Sequence, residues 1–471
     1  MIRVEKRIIN ELASVVGNQY ISTRPDVLLA YSQTASMASN PVLPGAVIRP
    51  ANKFEVSKIL VIANKYHIPV TARSGGSSLQ EEAVPEPDGL VIELMRLDGI
   101  RLHKELRSVT VGAGVTFGVL EKFLKEHDLF LPVYPESALV CTIAGNVAVN
   151  GAGPGSSAAG CIGELVFGLE VVLPSGEIIQ TGTEANPYAP GPYQRYAFGP
   201  DITGLFIGSL GSLGIITKVS MKVIRRYKFF DYNTYGFDTH EQAEKFMIEL
   251  KQHDINGIFT SLYEGAVLEF FMDMIGNELG IPQCEWPFRT ISMTIGRVRE
   301  DQMRSDAALA QKLCLENGGR IIGISELPQS EWEGRLWFFV RACYVHGWHW
   351  RTLYHHQTPT NAHRSVEEIR RALDKYGLIG HTAGFQSGHS SFNAYPHLYF
   401  DPQDPEDEKK VRDAHRELAR NLFKTGAVPF KLAEYWSESI EGMDSYMALL
   451  QLVKKTIDSK GIMNPRVLAG I

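Results

Sequence analysis

Three glycine-rich segments in the first half of the chain constrain its fold and function more than any other feature. They span residues 73–79, 142–155 and 201–217. The first, Arg-Ser-Gly-Gly-Ser-Ser-Leu, follows a strand-like run, and its small residues let successive backbone N–H groups face one concavity that can hold a diphosphate. That loop alone fits an ordinary tight turn equally well. The second segment favours a ligand-binding role, because so many small residues increase the entropy lost on folding, which a simple connector would not require.

The pattern around these loops alternates short strands with amphipathic helices. Residues 42–50 and 69–72 are strand-like on either side of a helical stretch at 53–66, and strand-like runs recur at 89–93 and 108–112. The first glycine loop has neither the lysine of a P-loop nor the Gly-x-Gly-x-x-Gly spacing of a Rossmann-type unit. The sequence therefore predicts a mixed α/β region in which several loops hold one large, extended cofactor.

Composition excludes several classes of protein. The chain has 471 residues, with 47 Lys and Arg against 53 Asp and Glu, and no basic stripe that would neutralise a nucleic-acid backbone. Its five cysteines form no Cys-x-x-Cys pair, which predicts a reducing, cytoplasmic setting. No apolar run reaches the ~18 residues that a membrane-spanning helix requires. We therefore expect no nucleic-acid partner and no transmembrane segment.

Five short motifs resemble one flavoprotein family. They are Pro-Gly-Ala-Val-Ile-Arg-Pro at 44–50, the loop at 73–78, Thr-Ile-Ala-Gly-Asn at 142–146, Gly-Leu-Glu-Val-Val-Leu-Pro-Ser-Gly-Glu at 168–177 and Gly-Ser-Leu-Gly-Ile-Ile-Thr at 211–217. Together they resemble the FAD-binding domain of the vanillyl-alcohol oxidase and para-cresol methylhydroxylase (PCMH) flavoproteins, which flavin-dependent 2-hydroxy-acid dehydrogenases share. The resemblance implies an α+β fold with a two-part PCMH-type FAD domain at 1–225. It also implies a cap domain with an antiparallel sheet at 226–425 and a C-terminal segment at 426–471 that returns to the flavin.

The same resemblance implies which residues contact FAD. The diphosphate is expected on the loop at 73–78, the isoalloxazine beside 137–163 and the adenine near Ile216. The expected cofactor residues are Arg73, Ser74, Gly75, Gly76, Ser77, Ser78, Ser137, Thr142, Gly145, Asn146, Gly153, Gly163, Ile216 and Asn464. Some relatives bond a cap histidine to the flavin, and His349 is the best positional match for such a covalent link; non-covalent FAD is the alternative.

The cap sequence leaves two branches of the family open. The 2-hydroxy-acid branch carries His-x-Gly-Asp-Gly-Asn-x-His, but the corresponding stretch at 389–397 keeps only its two histidines. In the phenol-oxidising branch a Tyr-Arg pair stabilises a substrate phenolate, and Phe430-Lys431 occupies that place here. Lys431 can supply the cation, whereas Phe430 cannot supply the hydroxyl.

An aromatic and histidine-rich stretch at 337–356 has two interpretations. Large aromatic residues in a cap are most often core. Histidines 346, 349, 355, 356 and 363 are harder to dismiss as structural, but their spacing does not define a metal site, and we predict none.

These observations predict an FAD-dependent oxidase or dehydrogenase. A small aromatic or phenolic substrate would pass a hydride from an alcohol-type or benzylic carbon to flavin N5, and oxygen, a quinone or a redox protein would accept the electrons. The candidate catalytic residues are His389, His397, Lys431, Arg466 and Arg351. One alternative is a 2-hydroxy-acid dehydrogenase for substrates such as D-lactate or glycolate. Another is a flavin-bearing electron-transfer or scaffold subunit without its own substrate. We also expect a homo-oligomer, with a dimer as the first expectation.

Overall fold

The computed structural model describes residues 4–34, 41–255, 257–333 and 347–468. Part of the aromatic stretch discussed above, namely Trp337, Phe338, Phe339, Tyr344 and His346, lies outside the described residues.

The described chain forms fifteen helices and twenty strands. The helices are α1 Lys6–Val16, α2 Pro25–Ala30, α3 Lys53–Tyr66, α4 Phe117–Lys125, α5 Ile143–Ala148, α6 Ser156–Ala159, α7 Ile202–Phe206, α8 His240–Gln252, α9 Gly265–Phe271, α10 Asn277–Leu279, α11 Glu300–Glu316, α12 Glu326–Trp332, α13 Ala362–Tyr376, α14 Pro405–Lys424 and α15 Asp444–Ile457. Strands β1 to β10 are Ile21–Ser22, Ala46–Ile48, Val70–Arg73, Leu90–Glu93, Ile100–His103, Ser108–Gly112, Leu129–Phe130, Val166–Val172, Ile178–Gln180 and Ile215–Lys222. Strands β11 to β20 are Ile224–Arg225, Phe229–Phe237, Phe259–Glu264, Arg289–Arg297, Arg320–Ile321, His349–Thr352, His355–Gln357, Gly380–Gln386, Phe392–Phe400 and Val428–Pro429.

Two sheets form the N-terminal part. One has the order β1-β2-β4-β3, in which β2 and β3 both run parallel to β4, and the other is antiparallel with the order β5-β6-β10-β8-β9. Helix α3 has the bounds that the sequence predicts, because Asn52 caps its first turn and the apolar positions of one face are fully buried. One apolar core joins both sheets.

The cap is built on a nine-stranded antiparallel sheet. Its order is β15-β12-β14-β13-β18-β19-β17-β20, with β16 paired to β19 beside β17. Side chains alternate between the faces of a strand, so the odd-numbered residues of β19 from 393 to 399 share one face while Phe392, Leu398 and Phe400 pack into cores on the other. The expected mixed fold with an antiparallel cap sheet is confirmed.

The C-terminal residues join the two parts. Strand β20 extends the cap sheet, after which α15 and the residues that follow it run back to the first sheet, where Met463 pairs with Val70. Buried Lys454 secures this return by donating to Asp458 Oδ2 at 2.6 Å and to the carbonyls of Ser212 and Met463 at 2.8 and 2.7 Å. The loop before β10 is thereby fixed to the C-terminal segment.

No helix among the described residues is long and apolar enough to cross a membrane.

Candidate cofactor and substrate site

A cavity of about 290 Å³ lies where the glycine-rich loops face the cap sheet. One wall consists of the loops at 72–79, 135–154 and 209–216, and the other consists of cap residues from β13, β16, β18 and β19. All three glycine-rich segments that the sequence singles out therefore meet at one place.

The first loop is shaped by glycines that no other residue can replace without movement. A Cβ atom on Gly75 would lie 1.9 Å from the carbonyl oxygen of Val140, so the first and second loops approach each other as backbone against backbone. Gly76 has φ +62°, a conformation that β-branched residues avoid. Ser74 Oγ is 2.6 Å from Thr142 Oγ1, which links the same two loops through side chains.

The second loop carries a short helix into the cavity wall. Thr142 caps α5 by accepting from the backbone N–H of Gly145 at 3.2 Å, and Asn146 lies on the cavity side one turn later. Asn146 is 6% exposed, and its Oδ1 atom has no hydrogen-bond partner among the described residues. A buried amide oxygen without a partner is unfavourable, so the position fits a ligand that donates a hydrogen bond.

Most of the residues expected to contact the cofactor border this cavity. They are Arg73, Ser74, Gly75, Gly76, Ser77, Ser78, Ser137, Thr142, Gly145, Asn146, Gly153 and Ile216. The two others lie behind the wall. Gly163 donates to Asn150 Oδ1 and accepts from Arg195, while the Asn464 side chain donates to the carbonyls of Glu82 and Leu210 at 2.8 and 2.7 Å. Their geometry suits bracing of the loops rather than contact with a ligand.

None of the predicted histidines borders the cavity. His349 is on the opposite face of the cap sheet, with its ring against Phe400, because it is out of phase with the cavity-lining Trp350. This corrects the expectation of a flavin link at His349. His389 is exposed in the turn between β18 and β19. His397 is fully buried with its ring 4.4 Å from that of Trp350, and this burial holds its pKa well below the ordinary value.

The predicted arginines are also separated from the cavity. Arg351 shares the outer face of β16 with His349, is 5% exposed, and has Nη2 3.9 Å from a carboxylate oxygen of Glu81. Arg466 is about one-third exposed and faces Glu86 at 3.9 Å. Neither residue borders the cavity, which corrects their assignment as groups that contact the substrate.

Lys431 is the one predicted catalytic residue that borders the cavity, and it is already paired. Its Nζ atom lies 2.6 Å from Glu82 Oε1 and 3.3 Å from Ser78 Oγ, and both charged side chains are less than one-tenth exposed. The ion pair ties the C-terminal segment to the first glycine loop. Lys431 is therefore not an isolated cation that faces a substrate anion, as the sequence suggested.

The cap wall contains an acidic group that no sequence pattern singles out. Glu331, on α12, is 5% exposed and accepts hydrogen bonds from three hydroxyls, those of Ser261, Tyr263 and Ser292. Burial raises the pKa of its carboxyl to about 7, although the three hydroxyls partly oppose the shift. The three donors lie together because Ser261 is opposite Ser292 in the sheet and Tyr263 lies two residues further along the same strand.

A second acidic group lies on the other side of the cavity. Glu136 belongs to the loop before α5, and its exposed side chain borders the cavity. Desolvation raises its pKa to about 7, and the charge of Glu331 acts in the same direction. Two carboxyls that titrate near neutrality and influence each other are typical of acid–base sites.

Aromatic side chains complete the cap wall. The cavity is bordered there by Phe259, Tyr263, Trp350, Tyr354, Phe385, Tyr395 and Phe430. The cross-strand register aligns Ser261, Phe385 and Asn393 in one row and Tyr263, Ala383 and Tyr395 in the next. Long-range pairing sets these rows, so no local sequence pattern could have shown them.

One cluster of metal-ligand residue types lies outside the cavity. His240 Nε2 and His363 Nδ1 are each 3.2 Å from Glu244 Oε1. Arg289 Nε donates to His240 Nδ1 at 2.9 Å, so the neutral ring carries its proton on Nε2, facing the carboxylate. A metal ion at this position would need an unprotonated Nε2 with a free lone pair. The observed arrangement is instead a cluster of close polar contacts around Glu244 that joins α8 to α13.

Comparison with known families identifies the glycine-loop wall. Residues 44–182 match the family described as FAD binding domain. The chain is an FAD-binding flavoprotein. The loop glycines without room for a Cβ, the hydroxyls of the first loop and the unpaired amide oxygen of Asn146 all fit FAD, which the residues of this wall would hold.

The sequence relatives and the structure relatives of this flavoprotein are named for different substrates. The glycolate oxidase subunit GlcD of Bacillus subtilis is 32% identical over 222 residues, which cover 47% of this chain but only 45% of that protein. The 4-ethylphenol oxidase of Gulosibacter chungangensis superposes with a TM-score of 0.82 at 18% identity, over 98% of this chain and 96% of that one. A para-cresol methylhydroxylase structure gives the same TM-score at 16% identity, over 99% and 96% of the two chains. The fold is that of the PCMH-type flavoproteins.

Proposed function

We propose that this flavoprotein oxidises an alcohol-type or benzylic carbon of a small aromatic substrate. The proposal is carried by one observation: the cavity combines aromatic rings on its cap wall with two carboxyls, Glu331 in that wall and Glu136 in the loop opposite, whose pKa values are both about 7. Rings of this kind pack against an aromatic substrate, and a carboxyl that titrates near pH 7 is suited to accept a proton at neutral pH. Bound FAD supplies the hydride acceptor at its N5 atom.

The protein's share of the reaction is to orient the substrate and to move one proton. Oxidation of an alcohol to a carbonyl releases a hydride from carbon and a proton from the hydroxyl oxygen. In the proposed reaction, ionised Glu136 takes that proton, since its carboxyl faces the cavity directly. The Tyr263 hydroxyl donates a hydrogen bond to Glu331, and Tyr263 borders the cavity, so this pair provides a second proton-binding group in the cavity wall. Electrons would leave to oxygen, a quinone or a redox protein.

A 2-hydroxy acid is the second candidate substrate, and the glycolate oxidase relative favours it. The substrate side of the cavity favours it less. A carboxylate needs a cationic partner, and the cations among the described cavity-lining residues are Lys431, paired with Glu82, and Arg73, held by the carbonyls of Tyr31 and Gln33.

Anaerobic bleaching of the flavin separates these functions. FAD-loaded protein is mixed in a stopped-flow instrument with 4-hydroxybenzyl alcohol, 4-ethylphenol, glycolate and D-lactate, and the loss of flavin absorbance is followed. Reduction by the phenols supports the proposal, and reduction by the hydroxy acids alone replaces it with the second candidate. If no compound bleaches the flavin, the result favours a flavin-bearing subunit that transfers electrons without its own substrate.

A further inference from the structure

The substrate side of the cavity has an unusual balance of charge. Glu331 lies in the cap wall of the cavity and Glu136 lies in the loop opposite it, close enough that the charge of Glu331 raises the pKa of Glu136. Lys431 is neutralised by Glu82 at 2.6 Å, and Arg73 belongs to the loop expected to hold the diphosphate. Among the cavity-lining residues that the structure describes, no positive group is left to balance the two carboxyls.

The surroundings of the carboxyls favour a cation as their partner. The aromatic rings of Tyr354 and Tyr395 are close enough that ionised Glu136 raises the pKa of both phenols. Desolvation is the main cause in each case. Aromatic faces attract cations, and the attraction is stronger in a site from which water is excluded. An anion would meet two acidic groups and the negative faces of these rings.

An unpaired amide borders the same cavity. Asn393 is 1% exposed, and neither its Oδ1 nor its Nδ2 atom has a hydrogen-bond partner among the described residues. Asn393 is in register with Phe385 on the neighbouring strand, and Phe385 is in register with Ser261 on the next. Ser261 donates a hydrogen bond to the Glu331 carboxylate. The Oδ1 atom of Asn393 can accept from an N–H group, and its Nδ2 can donate to a hydroxyl oxygen. A native protein rarely leaves a buried amide unsatisfied, so Asn393 is an independent sign that a polar ligand group reaches this wall.

We propose that the substrate carries, beside its oxidisable carbon, a positively charged nitrogen that binds between Glu136 and Glu331. The inference rests on the proposed function for the identity of the site and names the class of substrate within it: alkylamines that carry an aromatic ring, rather than aromatic or aliphatic acids. Asn393 is then a specificity-determining residue that adds a hydrogen bond to the bound amine or to its ring hydroxyl.

Three compounds that share a 4-hydroxyphenyl ring and differ in the polar group and charge at the other end test the proposal. Tyramine, tyrosol and 4-hydroxyphenylacetate share a 4-hydroxyphenylethyl or closely similar frame and are cationic, neutral and anionic at pH 7.5. Each is titrated anaerobically into FAD-loaded protein, and the dissociation constant is read from the change in the visible flavin spectrum. We expect tyramine to bind about 10-fold more tightly than tyrosol, and tyrosol more tightly than the acid. Tyramine affinity should rise between pH 6 and 8 as the carboxyls ionise.

Two variants assign the effect to the carboxyl pair. Glu331→Gln keeps the size and most hydrogen bonds of the side chain, and it should reduce the preference for tyramine over tyrosol to less than about 3-fold. Glu367→Gln, which changes an exposed carboxyl on α13, should leave the preference unchanged. Asn393→Leu removes no protein hydrogen bond, so its melting temperature should not fall while the affinity for tyramine drops by about 5- to 100-fold.

The outcomes separate this inference from the proposed function. Equal or tighter binding of 4-hydroxyphenylacetate, no binding of any of the three, or an unchanged preference in Glu331→Gln would overturn the charge assignment. If the order of affinities holds but no phenol or amine reduces the flavin, the inference stands and the proposed reaction fails. If all three compounds reduce the flavin and bind with equal affinity, the proposed reaction stands and the charge inference fails.

Discussion

Replacement of Glu331 by glutamine should stabilise the protein at high pH and leave its stability at low pH unchanged. The carboxyl has a pKa of about 7 when folded, against 4.5 for an ordinary glutamate. Each pKa unit corresponds to about 1.36 kcal/mol, so the burial of this one charge amounts to roughly 3 kcal/mol. Below pH 4.5 the group is protonated in both folded and unfolded chains and contributes no difference.

The direction of the stability change with pH follows from the number of protons that the folded and unfolded chains bind. Between pH 4.5 and about 7 the folded protein keeps a proton on Glu331 that the unfolded chain releases, so the stability of the wild type falls as the pH rises through this window. Glutamine has no proton to lose, and its amide can still accept from Ser261 and donate to Ser292 Oγ. The variant should therefore be more stable than the wild type at pH 8 by up to about 3 kcal/mol and equal to it near pH 4.5.

Thermal unfolding of the FAD-loaded proteins measures this difference. With an unfolding entropy of about 2.1 cal/mol/K per residue, a chain of 471 residues shifts its melting temperature by about 1 °C per kcal/mol, so we expect a gain of about 3 °C at pH 8. Subtracting the wild-type curve at each pH removes the contribution of all other titrating groups. The exposed Glu367→Gln variant is the control and should give a flat difference. A flat or inverted difference for Glu331→Gln would refute the buried, proton-binding state assigned here.

Four further predictions concern the cofactor and the chemistry. Gly76→Val should abolish FAD binding, because a β-branched residue strongly disfavours φ +62°. The flavin-to-protein absorbance ratio of the folded variant measures the FAD content. Full FAD occupancy would show that this loop does not contact FAD. Lys431→Met should lower the melting temperature and flavin retention, because breaking a buried ion pair costs about 3–5 kcal/mol. The double variant Lys431→Met/Glu82→Gln should recover most of both losses. If Lys431→Met only slows flavin reduction, the result instead favours the oxyanion role that the sequence suggests. His389→Ala should leave single-turnover reduction rates within 2-fold, roughly the effect of an ordinary surface change. The wild-type reduction rate should rise between pH 5.5 and 8 and then level off as a carboxyl base ionises, which Glu136→Gln should suppress.

The FAD wall could be anticipated from sequence because its chemistry is local. Backbone that must approach a diphosphate needs consecutive small residues, and those residues are adjacent in the chain, as at Gly75 and Gly76. The helices with clear apolar periodicity and caps, such as α3, were likewise predictable. The domain boundaries at 225 and 425 remain predictions, although β20 at Val428–Pro429 already belongs to the cap sheet.

The substrate wall could not be anticipated, because it is assembled from residues that only strand pairing brings together. In the sequence, Glu331 has the features of an ordinary helix residue. Its role depends on Ser261 and Ser292, which pair across the sheet and both donate to its carboxylate. Histidines and arginines are conspicuous in a sequence, yet the alternation of β16 turns His349 and Arg351 away from the cavity and Trp350 toward it. The sequence by itself determined that the chain binds FAD and where the loops lie. Only the tertiary structure decided which acidic and aromatic groups border the cavity, because a side chain's face and its burial depend on pairing between residues that are far apart in the sequence.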